Sequence, residues 1–308
     1  MYESYDPRSK LAAKGPAAVT PGGFAAAEYV KFHDTPPTES SPQARTWLGR
    51  GQNMIVAFSE VQPGAQFTRS NQPDEHMLVL PEAGAGAVLE AGGEKVEIAG
   101  FTLAILPPGD SRITLRQGGQ LIRVFSMRNT DLAARCVNAT GYAEPHPNIP
   151  PFQEWPVPPG GFRIRHYSLD VPPQPGRFGR IFRCTTMMIN MLPYEPNPRD
   201  NAKLSPHHHD DFEQCSLAIQ GAFTHHIRWP WTPNQAHWRN DDHEHCPAPS
   251  IAVIPPPAIH TSAATEAAGN QLVDIFAPPR MDFSKMAGWV LNADEYPMPV
   301  PMPAPSGP

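Results

Sequence analysis

His207 and His209 stand two residues apart in the run Pro206-His207-His208-His209-Asp210-Asp211-Phe212-Glu213-Gln214. On a β-strand that spacing turns both imidazoles to one face. Side-chain oxygen donors follow after a short break. A further histidine, His260, arrives on a later strand behind Pro255-Pro256-Pro257-Ala258-Ile259. Three imidazoles and one side-chain oxygen converging inside a small barrel make a first-row metal site. The competing reading is an exposed polar loop plus one buried, hydrogen-bonded histidine. Strand spacing in two separate runs favours the metal. His208, between the pair, is expected to face outward and not to ligate.

The elements that would position these side chains are short strands. The 308 residues include 40 prolines and 23 glycines, and only 18% are charged. Proline and glycine at that density belong in turns, edges and loops, so the fold class is all-β. A net charge of −6 gives no electrostatic footprint for nucleic acid. No run of eighteen apolar residues offers a membrane span. The beginning of the chain lacks the basic-then-apolar pattern of a secretory leader. Cys136, Cys184, Cys215 and Cys246 are scattered, as expected of reduced thiols in a cytoplasmic protein.

The two halves carry the same landmarks in the same order. Asp74–Leu80 parallels Glu213–Ile219, Thr102–Gly109 parallels Ser250–Pro257, and Leu121–Ser126 parallels Leu272–Ala277. Three matches in register imply a duplicated unit of roughly a hundred residues. Strands are expected at 54–60, 77–80, 87–90, 95–98, 103–106 and 121–126 in the first unit. The second offers 180–192, 215–219, 223–229, 251–254 and 271–276. Closely spaced strands with Gly/Pro turns favour a sandwich or barrel.

His207, His209, Gln214 and Gly221, spaced as they are, resemble the first motif of the cupin superfamily. Pro255 and His260 resemble the second, with Pro257 where glycine is usual and Ala264 where asparagine is frequent. The resemblance is close over 180–285 and weak over 50–130. It implies a bicupin: two jelly-roll barrels with an N-terminal arm (1–45), a degenerate N-terminal cupin barrel (46–143), a Pro-rich linker (144–178), a metal-binding C-terminal cupin barrel (179–290) and a tail (291–308). It also implies one divalent transition metal (Fe, Mn, Zn, Ni or Cu) held by His207, His209, Gln214 and His260. Most cupins carry glutamate at the third position. Glutamine there is similar to the uronate-processing cupins and the cupin hydroxynitrile lyases. A register that makes Glu213 the ligand is the alternative; Gln214 gives the following strand the family's usual length.

Aligning Glu75 with Gln214 sets Thr68 and Ser70 opposite His207 and His209, and Arg112 opposite His260. That set is a poor transition-metal site. Glu75 and Arg112 are expected to pair across a vacated, structural barrel.

Other residues carry weaker expectations. One of His225 and His226 should face inward, either as a general acid or base beside the metal or as a core histidine. His225 or Glu213 is the expected proton shuttle. Arg180, Arg183 and Arg228 are candidates to hold a substrate carboxylate. Lys203 is near the site or merely exposed. The segment 229–246 has no counterpart in the first half; a solvated acidic loop is favoured over a second metal site, with its tryptophans available to cover the barrel mouth.

Four neutral ligands leave the ion's charge uncompensated. The leading expectation is an enzyme that uses Lewis-acid lyase or isomerase chemistry on a small oxygenated substrate such as a hydroxy acid, keto acid or sugar derivative. A non-haem metal dioxygenase and a non-catalytic binding protein are the alternatives. The expected partners are a small molecule and a second copy in a homodimer.

Overall fold

The computed structural model describes residues 24–299. The leading part of the expected arm (1–23) and the end of the expected tail (300–308) lie outside the described residues. The strands of the first half are β1 (Glu28–Lys31), β2 (Glu39–Ser41), β3 (Ala44–Arg50), β4 (Met54–Val61), β5 (Gln66–Gln72), β6 (His76–Leu80), β7 (Gly86–Ala91), β8 (Glu94–Ala99), β9 (Thr102–Leu106), β10 (Gly109–Leu115) and β11 (Gly119–Ser126), followed by the short helix α1 (Thr130–Ala133). The second half contains β12 (Arg165–Ser168), β13 (Arg180–Arg183), β14 (Met188–Met191), β15 (Glu213–Gln220), β16 (Ala222–Arg228), β17 (Asp242–Pro247), β18 (Ser250–Ile254), β19 (Ile259–Ala264) and β20 (Gln271–Ala277), with α2 (Met281–Lys285) behind it.

These strands build two jelly-roll barrels. In the first, the seven-stranded sheet β12-β9-β6-β11-β4-β3-β2 faces the four-stranded sheet β5-β10-β7-β8. In the second, the six-stranded sheet β1-β18-β15-β20-β14-β13 faces the three-stranded sheet β17-β16-β19. The two-residue alternation decides what each face meets. Along β15, Cys215, Leu217 and Ile219 pack into a core shared with Met77, Val79, Ile122 and Val124 of the other barrel. Ala218, from the opposite face, packs with Phe223, Ala264 and Leu272 inside its own barrel. The two large sheets thus lie back to back, and each small sheet closes a barrel. Tight turns set the registers. Gly92 and Gly93 both take positive φ between β7 and β8, the conformation a two-residue hairpin requires. Gly221 (φ +72°) turns β15 into β16 where a Cβ would strike the backbone of Gly269.

The segment boundaries differ from the sequence expectation in an informative way. Residues assigned to the arm supply β1, which pairs with β18 of the second barrel (Val30 opposite Ile251). Residues assigned to the linker supply β12, which pairs with β9 of the first barrel (Tyr167 opposite Leu103). Each barrel is therefore completed by chain reaching it from beyond its own unit. The start of the expected tail is structural as well: Tyr296 is buried and its carbonyl accepts from Arg183 Nε at 3.0 Å. The segment 229–246, expected to be a loop, contributes β17. The expected strand at 180–192 is a hairpin of β13 and β14.

Candidate metal centre

His207 and His260 are bridged across the mouth of the second barrel by two backbone hydrogen bonds, His207 N to His260 O at 3.0 Å and the reverse at 2.8 Å. This local ladder sets the two rings 4.4 Å apart, centre to centre. His209 lies 5.0 Å from His260 and 6.4 Å from His207 by the same measure, stacked on Phe212 at 4.0 Å. Gln214, the second residue of β15, lines the same inward face. His207, His209, Gln214 and His260 are all buried.

Hydrogen bonds fix how these donors present themselves. His207 Nδ1 meets Ser205 O at 2.9 Å, and His260 Nδ1 meets Ala258 O at 2.9 Å. A carbonyl only accepts, so each Nδ1 carries the proton and, in the neutral ring, Nε2 holds the lone pair. Gln214 Nε2 donates to Ser216 Oγ at 3.0 Å, which turns Oε1 toward His260 Nε2, 3.4 Å away. Two lone-pair atoms thus face each other in a buried space, an arrangement that a cation between them relieves. Both ring nitrogens of His209 are buried without a hydrogen-bond partner, and burial holds this imidazole well below its usual pKa, in the neutral form a metal takes. The donor set therefore fits a divalent transition ion. Among the described residues, no group of three His, Cys, Asp or Glu side chains is gathered as a closed metal shell; the three rings and the Gln214 amide form an open cluster.

The cluster borders a cavity of about 250 Å³. Its polar walls are Glu195, Arg199, Thr261, Ser262 and Asp274, and its apolar walls include Phe178, Leu192, Phe223 and Leu272. Asp274 accepts from Ser216 Oγ at 2.6 Å. Arg199 is held by Ser205 Oγ, which accepts from Nη2 at 2.8 Å. Burial raises the Glu195 carboxyl above its usual pKa, and Arg199 partly opposes this. His225, on β16, is the inward member of its pair and is buried. Its Nδ1 lies 2.8 Å from Ser262 Oγ, so the cavity wall separates it from the open space by one hydroxyl. Burial, then the nearby His260, lowers its pKa to about 3.

Several expectations are corrected. Glu213 is neither a donor to this cluster nor a shuttle into this cavity. The strand period sends it to the opposite face of β15, where its carboxylate accepts from Gln52 N (2.9 Å) and Asn53 N (3.2 Å) of the first barrel. In the first barrel His76, not Glu75, occupies the place of Gln214: His76 stands opposite Leu106 as Gln214 stands opposite Ile254. Glu75 is buried between the barrels and accepts from Thr185 N and Tyr296 Oη, whereas Arg112 is exposed beside Glu90, so the expected Glu75–Arg112 pair does not form. Thr68 and Ser70 are exposed, and Ala87, Leu89, Ile113 and Leu115 fill the interior.

Arg180, Arg183 and Arg228 do not line the cavity. Arg180 lies over Phe101, Arg183 is buried against Tyr296, and Arg228 pairs with Asp241 at the surface. His208 is half-buried beside Asp210 (3.5 Å), and Lys203 is exposed. Among the described residues no tryptophan lines the cavity: Trp229 is buried, and exposed Trp231 stacks on Trp238 at 4.5 Å.

No protein-family model matches the sequence, and no curated protein matches it. Solved structures do match the fold. Oxalate decarboxylase from Lactobacillus farciminis, solved as a formate complex, is 16% identical with a TM-score of 0.55, over 86% of this chain and 88% of that one. AerE from Microcystis aeruginosa is 9% identical with a TM-score of 0.51 (83% and 98% covered). The bacterial pirin YhhW from Escherichia coli, in complex with nickel(II), is 8% identical with a TM-score of 0.51 (83% and 100% covered). At these identities the likeness is one of fold. The chain shares with them a fold of two jelly-roll barrels, the architecture that its resemblance to the bicupins implies. Among the described residues, no helix is long and apolar enough to cross a membrane.

Proposed function

We propose that this bicupin is a metal-dependent enzyme acting on a small oxygenated anion, a hydroxy or keto acid or a sugar-derived equivalent, by lyase or isomerase chemistry without net redox change. The observation that carries this reading is the opposition of His260 Nε2 and Gln214 Oε1 beside the cavity, with His207 and His209 completing the donor set. An ion held by four neutral donors keeps its full charge and polarises a carbonyl or hydroxyl oxygen.

The chain's own residues supply the rest. Arg199 brings a guanidinium to the wall, suited to orienting a substrate carboxylate. Phe178, Leu192, Phe223 and Leu272 limit water. Asp274 offers a carboxylate oxygen as base, Glu195 is poised by burial as an acid, and His225, held neutral, fixes the Ser262 hydroxyl at the cavity wall.

The test is metal analysis of the purified full-length protein, followed by a screen of 2-hydroxy and 2-keto acids by NMR with dissolved oxygen recorded in parallel. A divalent ion whose loss in His260→Ala amounts to one per chain, and product formation without oxygen uptake, support the reading. Turnover that consumes oxygen replaces it with a dioxygenase, and a protein that takes up no metal leaves a binding protein.

A further inference from the structure

The outer face of the small sheet of the second barrel carries histidines that the barrel site does not use. His226 on β16 stands directly opposite His243 on β17. Their Nδ1 atoms are 2.8 Å apart and their rings are set edge-on at 5.0 Å. Two residues along the same face of β17 comes His245, opposite Thr224, whose hydroxyl lies 3.5 Å from His245 Nδ1. His225 alternates inward, so this group is separated from the barrel site by the thickness of the sheet.

We propose that His226 and His243, with His245 beside them, form a second, surface binding site for a divalent transition ion of the zinc, copper or nickel kind. Imidazole nitrogens bind such ions at about 2.0–2.1 Å, so two ligands on one ion stand only about 3 Å apart. The pair already holds that separation, and antiparallel pairing keeps the two Cβ atoms close whichever way the rings turn. A donor set of imidazoles alone selects these ions over magnesium or calcium. At 2.8 Å one ring's Nδ1–H points at the other ring's Nδ1; when that ring carries its hydrogen on Nε2 instead, both Nδ1 lone pairs face the space between them and an ion enters there without rebuilding the backbone.

The experiment is a zinc titration of the chelator-stripped full-length chain, followed by calorimetry. The wild type is expected to take up one equivalent more than the His226→Ala/His243→Ala variant. His243→Ala alone, at an exposed edge-strand position where folding is not at risk, should weaken that equivalent on the order of a hundredfold by removing one arm of the chelate. The barrel donors are untouched in both variants, so uptake at the barrel is read separately and the failure of one site does not imitate the failure of the other. Identical isotherms for the wild type and the double variant overturn the proposal and leave the pair as two hydrogen-bonded histidines.

Discussion

Glu75 and Glu213 occupy equivalent places in the duplicated fold and reach in opposite directions across the same interface. Glu75 accepts from Thr185 N at 3.1 Å and Thr185 Oγ1 at 2.9 Å, in the β13–β14 turn of the second barrel. Glu213 accepts from Gln52 N and Asn53 N, in the β3–β4 turn of the first. Each barrel thus caps the other's hairpin with one buried carboxyl. Gly51 lies so close to Glu213 that any side chain there would meet the carboxylate. Glu213→Ala strands the buried N–H of Asn53 and the partly buried one of Gln52 and is expected to destabilise the protein by about 1–3 kcal/mol, read by denaturant unfolding, while its metal content stays that of the wild type. Loss of metal in Glu213→Ala with stability intact would reverse this assignment.

The same residue gives a pH dependence with a definite sign. Burial raises the Glu213 carboxyl from 4.5 to about 7, against the pull of the two backbone N–H groups. The folded form therefore binds the proton more tightly than the unfolded chain. The resulting stability is present below about pH 4.5 and is lost as pH rises through about 7, with a slope of at most about 1.4 kcal/mol per pH unit. Measured against Glu213→Gln, which cannot titrate, the wild type should lose stability between pH 5 and 7.5. A constant difference across that range would show that the carboxyl does not titrate there.

Gln214 and Glu213 are neighbours in sequence with opposite duties. Gln214→Ala removes the oxygen that faces His260 Nε2 and is expected to weaken metal binding by roughly 10- to 100-fold, with a stability change smaller than that of Glu213→Ala. Gln214→Glu should bind the ion more tightly, because a carboxylate offsets its charge, and should turn over more slowly for the same reason. Metal competition assays on the two variants check both statements.

How much of this was legible in the sequence depends on the range of each interaction. That His207, His209, Gln214 and His260 share one barrel face follows from two-residue spacing and proline-marked turns, both local features. The face of Glu213 was misjudged because adjacent strand residues point oppositely, and a one-residue slip exchanges their environments. The same slip set Glu75 where His76 belongs. β1 and β12 were not legible, since their partners lie in distant chain and edge strands carry weak alternation. Arg199 sits in the irregular, proline-rich stretch before His207, where no periodicity indicates a direction.

The first barrel fills the equivalent places with different residues. Arg123 takes the place of Asp274, buried over Phe67 at 4.1 Å, and His76 stacks on Phe125 at 5.0 Å with both ring nitrogens unpartnered. No carboxylate is hydrogen-bonded or ion-paired to Arg123 among the described residues, and burial lowers its pKa to about 10. Arg123→Met, which keeps much of the volume and removes the charge, should be neutral or stabilising by about 1–2 kcal/mol in thermal unfolding. Leu89→Ala, in the apolar filling of the same barrel, should cost about 2–5 kcal/mol. A destabilised Arg123→Met would show instead that the stacked guanidinium holds the barrel end together.

Ser262 separates two parts of the proposed chemistry, because its hydroxyl lines the cavity and bonds His225 behind it. Ser262→Ala removes the hydroxyl that His225 holds at the cavity wall and replaces none of the four donors. Metal occupancy and KM for the acid identified in the screen should therefore hold while kcat falls by roughly 10- to 100-fold, as for the loss of one hydroxyl positioned beside the reacting group. Arg199→Lys should do the reverse. A lysine keeps the charge but loses the planar fork, raising KM with little change in kcat. If Ser262→Ala leaves kcat unchanged, the proton passes through Asp274 or Glu195, and substitution of those two carboxylates by their amides decides which.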